Sequence, residues 1–435
     1  MSCNIVLWNL IWLVLSALFK ENYVDIVWAY LLFFFLFVLL LLIYNYVKDF
    51  FHPAVVTLLL WCILVLIYNV TDHELYDLSN RFYWALLLWI IPFSLSSILI
   101  CKFDFAFAHC LSKKHNYCVN LLYPIMVVSL IVAIYGLYTK GLYYNGDNFF
   151  NGIRAAGVAL LNGEEETFEL PFYIRIPSTI ASYSLIVFLA LYDDKKKKKY
   201  YILFALLLVL FFVFRSNKSV IAQLIFSLLV VHCLGRKISF KNILIYLAGF
   251  VLLMFAAHLL RSKDSSEFDI VKFISVYLLS PLPGFDNILN NHYNYISSFN
   301  GEYTFRFFIP CLQLLGFDVE VNADSFNLHN WTYTPLPVNV YTIMFNFYVD
   351  YGFVGIFCFS TFLGTFFGVL YKYAKRNYQM FRVLYANFFY VLVFQFFSDN
   401  FFTFMGAVLS TIFFTLFMYL HISFRKTIIK KAINE

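Results

Sequence analysis

Arg215 and Lys218 stand three residues apart in the turn RSNKS, between apolar runs at 200–214 and 219–235. A guanidinium offers paired donors to phosphate oxygens and a lysine adds a point charge, so the pair suits a diphosphate at a membrane boundary. Arg154, Arg175 and Arg261 lie in longer polar stretches and fit the same chemistry, with Lys263 beside the last. The competing reading for all of them is a cation snorkelling to lipid headgroups; Arg81 and Arg306 read as plain surface charges. Candidates for a general base are Asp286, His292, His329 and Asp350. Asp350 immediately precedes Tyr351-Gly352, where a carboxylate is equally suited to capping a helix start. His329, two residues before Trp331 in a polar loop, reads as well as a surface histidine.

Other chemistries find no support. The chain has no P-loop, no dinucleotide-binding glycine pattern, no HExxH and no GxSxG. Neither CxxC nor CxxxH spacing occurs, and no DxD pair suggests a divalent ion on a sugar diphosphate, so no metal and no cofactor is expected. The run Lys195–Lys199 is a place for anionic lipid or nucleic acid, but it is better explained as a loop that fixes topology; no nucleic-acid partner is expected.

The elements that must position these groups are membrane helices. Of the 435 residues 62% are hydrophobic and 13% charged, and mean hydropathy is +0.76, which excludes a soluble globular protein. The fold class is an all-α polytopic membrane protein, a single integral membrane domain over residues 1–435. About twelve spans are expected, at 5–19, 26–47, 54–70, 82–101, 118–138, 178–192, 200–214, 219–235, 242–260, 352–371, 379–397 and 401–422. The first run has no basic n-region or cleavage site and reads as a retained helix. The eight cysteines leave Cys311 without an extracytoplasmic partner.

Threading these spans puts 20 of the 31 Lys and Arg on one side and 20 of the 25 acids on the other. Cytoplasmic loops carry the basic excess, so both termini are placed in the cytoplasm. Two long outer loops follow, 139–177 and 261–337. Within the second, 268–279 and 304–315 are apolar but too short to span, and are suited to the membrane surface; both loops are expected to fold as caps over the outer face.

Residues 338–373, VNVYTIMFNFYVDYGFVGIFCFSTFLGTFFGVLYKY, gather the remaining signals. Counting about twenty residues back from Lys372 puts the outer end of a span near Gly352. The preceding Asn339, Tyr341, Thr342, Asn346 and Asp350 are tolerated at membrane depth only where protein or a wet cavity serves them. Gly364 and Gly368 have the GxxxG spacing that lets a second helix approach closely. Asn339 and Tyr341 can hydrogen-bond sugar hydroxyls; Trp331, Tyr333 and Tyr341 are positioned to stack on sugars, although an interfacial aromatic belt accounts for them too.

This stretch, with YLLSPLPGFDNIL at 277–289, GEYTFRFFIPCLQLLGF at 301–317 and FRSNKSVIAQLIFSLLV at 214–230, resembles the bacterial O-antigen and oligosaccharide repeat-unit polymerases. The resemblance covers roughly Tyr200 to Tyr373. It implies a GT-C-like membrane fold and a glycosyltransferase of the bacterial cytoplasmic membrane that joins polyprenyl-diphosphate-linked oligosaccharides, for lipopolysaccharide or capsule. It further implies a flippase and a chain-length regulator as partners. The O-antigen ligase would share nearly every feature. A flippase of lipid-linked units is the alternative from another class; it should carry mid-span charges in two related halves, and neither is visible.

Overall fold

His52 and Pro53 show how the sequence starts its helices. The His52 ring accepts the Ala54 N–H at 3.3 Å, and Pro53, which has no N–H to satisfy, takes the first helical position. The computed structural model describes residues 23–105, 117–146, 149–161, 169–194, 196–214, 218–234, 245, 249, 275–290, 301–319, 332–335 and 337–434. Six of its helices are long and apolar enough to cross a membrane: Trp28–Val47, Pro53–Val70, Asn80–Ile100, Val119–Tyr144, Phe172–Asp193 and Phe345–Lys375. Shorter apolar helices are Val220–Cys233, Gln379–Val393 and Met405–Tyr419. The chain is thus an all-helical membrane protein. The expected run 5–19 lies outside the described residues, as does nearly all of 242–260.

The chain divides into two compact units. One comprises residues 1–102, 267–368 and 391–404. In it the helix Asn80–Ile100 lies against Phe345–Lys375 at the two spaced glycines. A side chain at Gly364 would collide with the Phe93 carbonyl and Ser96, and one at Gly368 with the Ser97 carbonyl at 2.7 Å. Such backbone approach is what small residues permit between membrane helices. Pro92 interrupts Asn80–Ile100 and cannot donate to the Leu88 carbonyl; the Ser360 hydroxyl, bonded to the Phe357 carbonyl at 2.8 Å, approaches it at 3.4 Å. The other helix breaks at Gly352, with φ 62° and ψ −151°, a conformation only glycine adopts without strain. That break coincides with the span end read from the sequence.

The second unit comprises residues 103–266, 369–390 and 405–435. Helix Phe172–Ala181 is followed after a two-residue turn by Ser184–Asp193, and Lys197–Leu208 runs into a π-helical turn, Val209–Phe214. Lys218–Cys233 packs on Gln379–Val393 through polar bonds: Ser227 Oγ donates to the Ala386 carbonyl at 2.9 Å and Gln223 Nε2 to Asn387 Oδ1 at 3.2 Å. At the end that the charge reading places inside, two of the few acids pair with bases. Asp104 meets Lys372 and Arg376, each at 2.7 Å, and Asp193 meets Arg382 at 3.2 Å.

The long loops are more structured than runs of polar residues imply. Helix Tyr117–Tyr144 continues beyond the expected end at 138 and, together with Phe149–Leu161 and Phe172–Ala181, occupies most of 139–177. In 261–337, Pro281–Leu289 has all nine residues buried, and the described end of the run 268–279 is the π-helical turn Ser275–Leu279 that leads into it. This part is inserted into the protein, and its polar side chains are served there, Asp286 by Ser79 and Asn287 by the Tyr333 carbonyl. By contrast Ile309–Leu314 is a short, open helix, with Leu314 88% exposed.

Candidate functional site

Hydrogen bonds join residues 71–81, 281–290, 301–304, 332–335, 337–351 and 394–404 into a polar end of the first unit. A two-stranded ladder, Thr332–Tyr333 with Pro337–Val338, closes this end. The Tyr76 N–H reaches the Thr334 carbonyl at 3.3 Å, and Asn287 Nδ2 reaches the Tyr333 carbonyl at 3.0 Å.

Four carboxylates are buried in the region, Asp286, Glu302, Asp350 and Asp399, and three of them tie its segments together. Asp286 accepts the Ser79 N–H at 2.7 Å and its hydroxyl at 2.5 Å, with Asn290 Nδ2 at 3.2 Å. It therefore sits at the start of helix Asn80–Ile100, where the helix dipole favours an anion. Asp350 accepts the main-chain N–H groups of Tyr303 at 3.2 Å and Thr304 at 2.6 Å. Asp399, 3% exposed, accepts those of Phe401, Phe402 and Thr403 at 3.0–3.1 Å, and Asn346 Nδ2 at 3.2 Å. Burial pushes the Asp399 carboxyl up, against the downward pull of its donors.

Aromatic side chains fill the space between. Tyr341 stacks on Phe345 at 4.5 Å between centroids, and Phe345 meets Tyr303 edge-on at 5.8 Å. A side chain at Gly284 would touch Tyr341 and Val338, so the helix bearing Asp286 rests on the segment bearing Tyr341. Below, Gln395 accepts the indole N–H groups of Trp61 at 3.2 Å and Trp89 at 2.9 Å. Its side chain also donates to Thr57 Oγ1 at 2.9 Å, and its main-chain carbonyl takes the Ile343 N–H at 2.7 Å.

Of the residues singled out in the sequence, Asp286, Asn339, Tyr341 and Asp350 all belong to this end. Both oxygens of Asp286 and of Asp350 already accept hydrogen bonds, and Asn339 is half-buried. Arg175 is exposed on Phe172–Ala181 in the second unit. Arg154 lies on Phe149–Leu161 and Lys218 begins Lys218–Cys233, with side chains outside the described set. Arg215, Arg261, His292 and His329 lie outside the described residues. Two cations read as surface charges are more engaged than that: Arg81 donates to the Leu289 carbonyl at 2.8 Å, and Arg306 is half-buried, which lowers its guanidinium pKa. Asp399 and Gln395 were missed. Ser398-Asp399-Asn400 is a turn signal, but flanking phenylalanines submerge it in hydropathy. No group of three or more potential metal ligands occurs among the described residues.

No family model matches the chain, and no solved structure matches it. A protein of Escherichia coli (strain K12) named "Putative O-antigen polymerase" is 24% identical to it over 373 residues, covering 82% of this chain and 88% of that protein. The similarity thus runs through both units of the fold.

Proposed function

We propose that this protein polymerises polyprenyl-diphosphate-linked oligosaccharide repeat units on the outer face of the cytoplasmic membrane. The observation that carries the reading is the similarity to the Escherichia coli protein over most of both chains; the buried polar end of a unit of apolar helices supports it. In the proposed reaction an acceptor hydroxyl of the incoming unit attacks the anomeric carbon of the growing glycan. The bond from that carbon to the diphosphate oxygen breaks, and polyprenyl diphosphate leaves with the electron pair. Arg215 and Lys218, joined by Arg154, Arg175 and Arg261, stabilise the charge that builds on the diphosphate, more in the transition state than in the ground state. The acceptor proton goes to His329 or Asp350. Both oxygens of Asp350 are already engaged by main-chain amides, which favours His329 as base and Asp350 as an orienting group. Asp286, Asn339 and Tyr341 shape the acceptor side. Twelve spans, a GT-C-like arrangement, cytoplasmic termini and the two loops as outer caps complete the reading, with a flippase and a chain-length regulator as partners.

Reconstitution with purified lipid-linked repeat units tests it. A ladder of glycans is the expected product. A single transfer onto a lipid A core acceptor would make the protein a ligase, and passage of the unit across the bilayer without a product would make it a flippase.

A further inference from the structure

The side chain of Asn346 is held from one side. Its Nδ2 donates to Asp399 Oδ2 at 3.2 Å and to Thr403 Oγ1 at 2.9 Å, which uses both amide protons. The remaining partners of Asp399 are all donors: the N–H groups of Phe401, Phe402 and Thr403, and the Thr403 hydroxyl at 3.4 Å. Four donors besides Asn346 already converge on the two carboxylate oxygens, so the amide facing them presents its nitrogen and turns Oδ1 away. That oxygen takes no hydrogen bond among the described residues, for Thr304 Oγ1 reaches the Asn346 main-chain carbonyl instead, at 3.4 Å. Four residues earlier, Thr342 is fully buried and its hydroxyl also has no partner among the described residues. Buried polar atoms are nearly always paired, so the Thr342 hydroxyl is an unused group, and one turn later the half-buried Asn346 leaves its Oδ1 open among the described residues.

We propose that Asn346 is a binding residue whose Oδ1 accepts a hydroxyl of the sugar substrate, and that Asp399 is the positioning residue that fixes this orientation. The inference rests on the polymerase reading and adds to it a hydroxyl subsite, one turn of helix before Asp350. Asp399 stands on residues 394–404, an irregular stretch between two apolar helices. Such backbone persists at membrane depth only inside protein or beside a wet cavity, and a carboxylate that gathers three successive N–H groups is what holds it there.

The test uses purified protein and the lipid-linked repeat unit extracted from cells lacking this protein. Asp399→Asn keeps the turn, since Asn caps as well as Asp, but its Nδ2 invites the Asn346 amide to flip. Asn346→Leu removes the subsite. Each single variant should raise KM for the repeat unit about three- to tenfold, the loss of one neutral hydrogen bond, with kcat within about twofold. The double variant should match Asn346→Leu alone, because Asp399 acts through Asn346. A wild-type KM in Asp399→Asn, or a double variant whose KM multiplies the two singles, overturns the inference and leaves the polymerase reading standing. Wild-type protein that makes no polymer from the unit overturns both.

Discussion

Thr304 donates its main-chain N–H to Asp350 Oδ2 at 2.6 Å across 46 residues of sequence, and Tyr303 donates to the other oxygen. The turn Gly301–Thr304 is buried throughout. One carboxylate therefore pins a loop to the last helical turn before the Gly352 break.

Asp350→Ala should accordingly loosen that loop. It leaves two buried amides unpaired, at about 1–3 kcal/mol each, whereas Asp350→Asn keeps one acceptor oxygen. Thermal unfolding in detergent should rank wild type above Asn and Asn above Ala, with proteolysis near 301–304 appearing first in Ala. Equal melting of the three would show that the clamp does not contribute.

Gln395 offers a second test at bilayer depth. Gln395→Leu orphans the indoles of Trp61 and Trp89 and removes the donor to Thr57 Oγ1, and should destabilise by roughly 1–3 kcal/mol. Trp89→Phe removes a donor along with its need for a partner, so its cost should come mainly from packing, with Gln395 still held by Trp61. If Gln395→Leu leaves both melting temperature and indole fluorescence unchanged, the polar knot is not stabilising.

Asp104 predicts an acid dependence. Hydrogen bonds from Lys372, then Arg376, hold its carboxyl below the usual value. A depressed folded-state pKa gives stability that is present above the unfolded value, about pH 4, and is lost as pH falls through the folded one. Asp104→Asn should flatten the melting-temperature profile between neutrality and that acid range. A profile identical to wild type would assign the acid response to other carboxylates.

Orientation can be read from cysteines. Cys311 is exposed on Ile309–Leu314, and the charge reading places it outside and Cys110 inside. A membrane-impermeant thiol reagent should label Cys311 in intact spheroplasts and Cys110 only after permeabilisation. The reverse pattern would invert the topology.

Hydropathy and residue spacing act locally, and so the apolar helices, a boundary near Gly352 and the close-packing glycines 364 and 368 were legible from order along the chain. Which helix meets those glycines was not, nor that Ser360 approaches the carbonyl Pro92 leaves open. The carboxylates divide the same way. Asp286 and Asp350 stood out as unusual groups beside membrane spans, yet their partners Ser79 and Thr304 are 207 and 46 residues away. Asp399 did not stand out at all, because a buried acid among phenylalanines reads as part of a greasy run until its donors are seen. An unpaired charge in such a place is prohibitive and a paired one is tolerated. Pairing depends on which chain ends the packing of apolar helices brings together, and only the tertiary structure decides that.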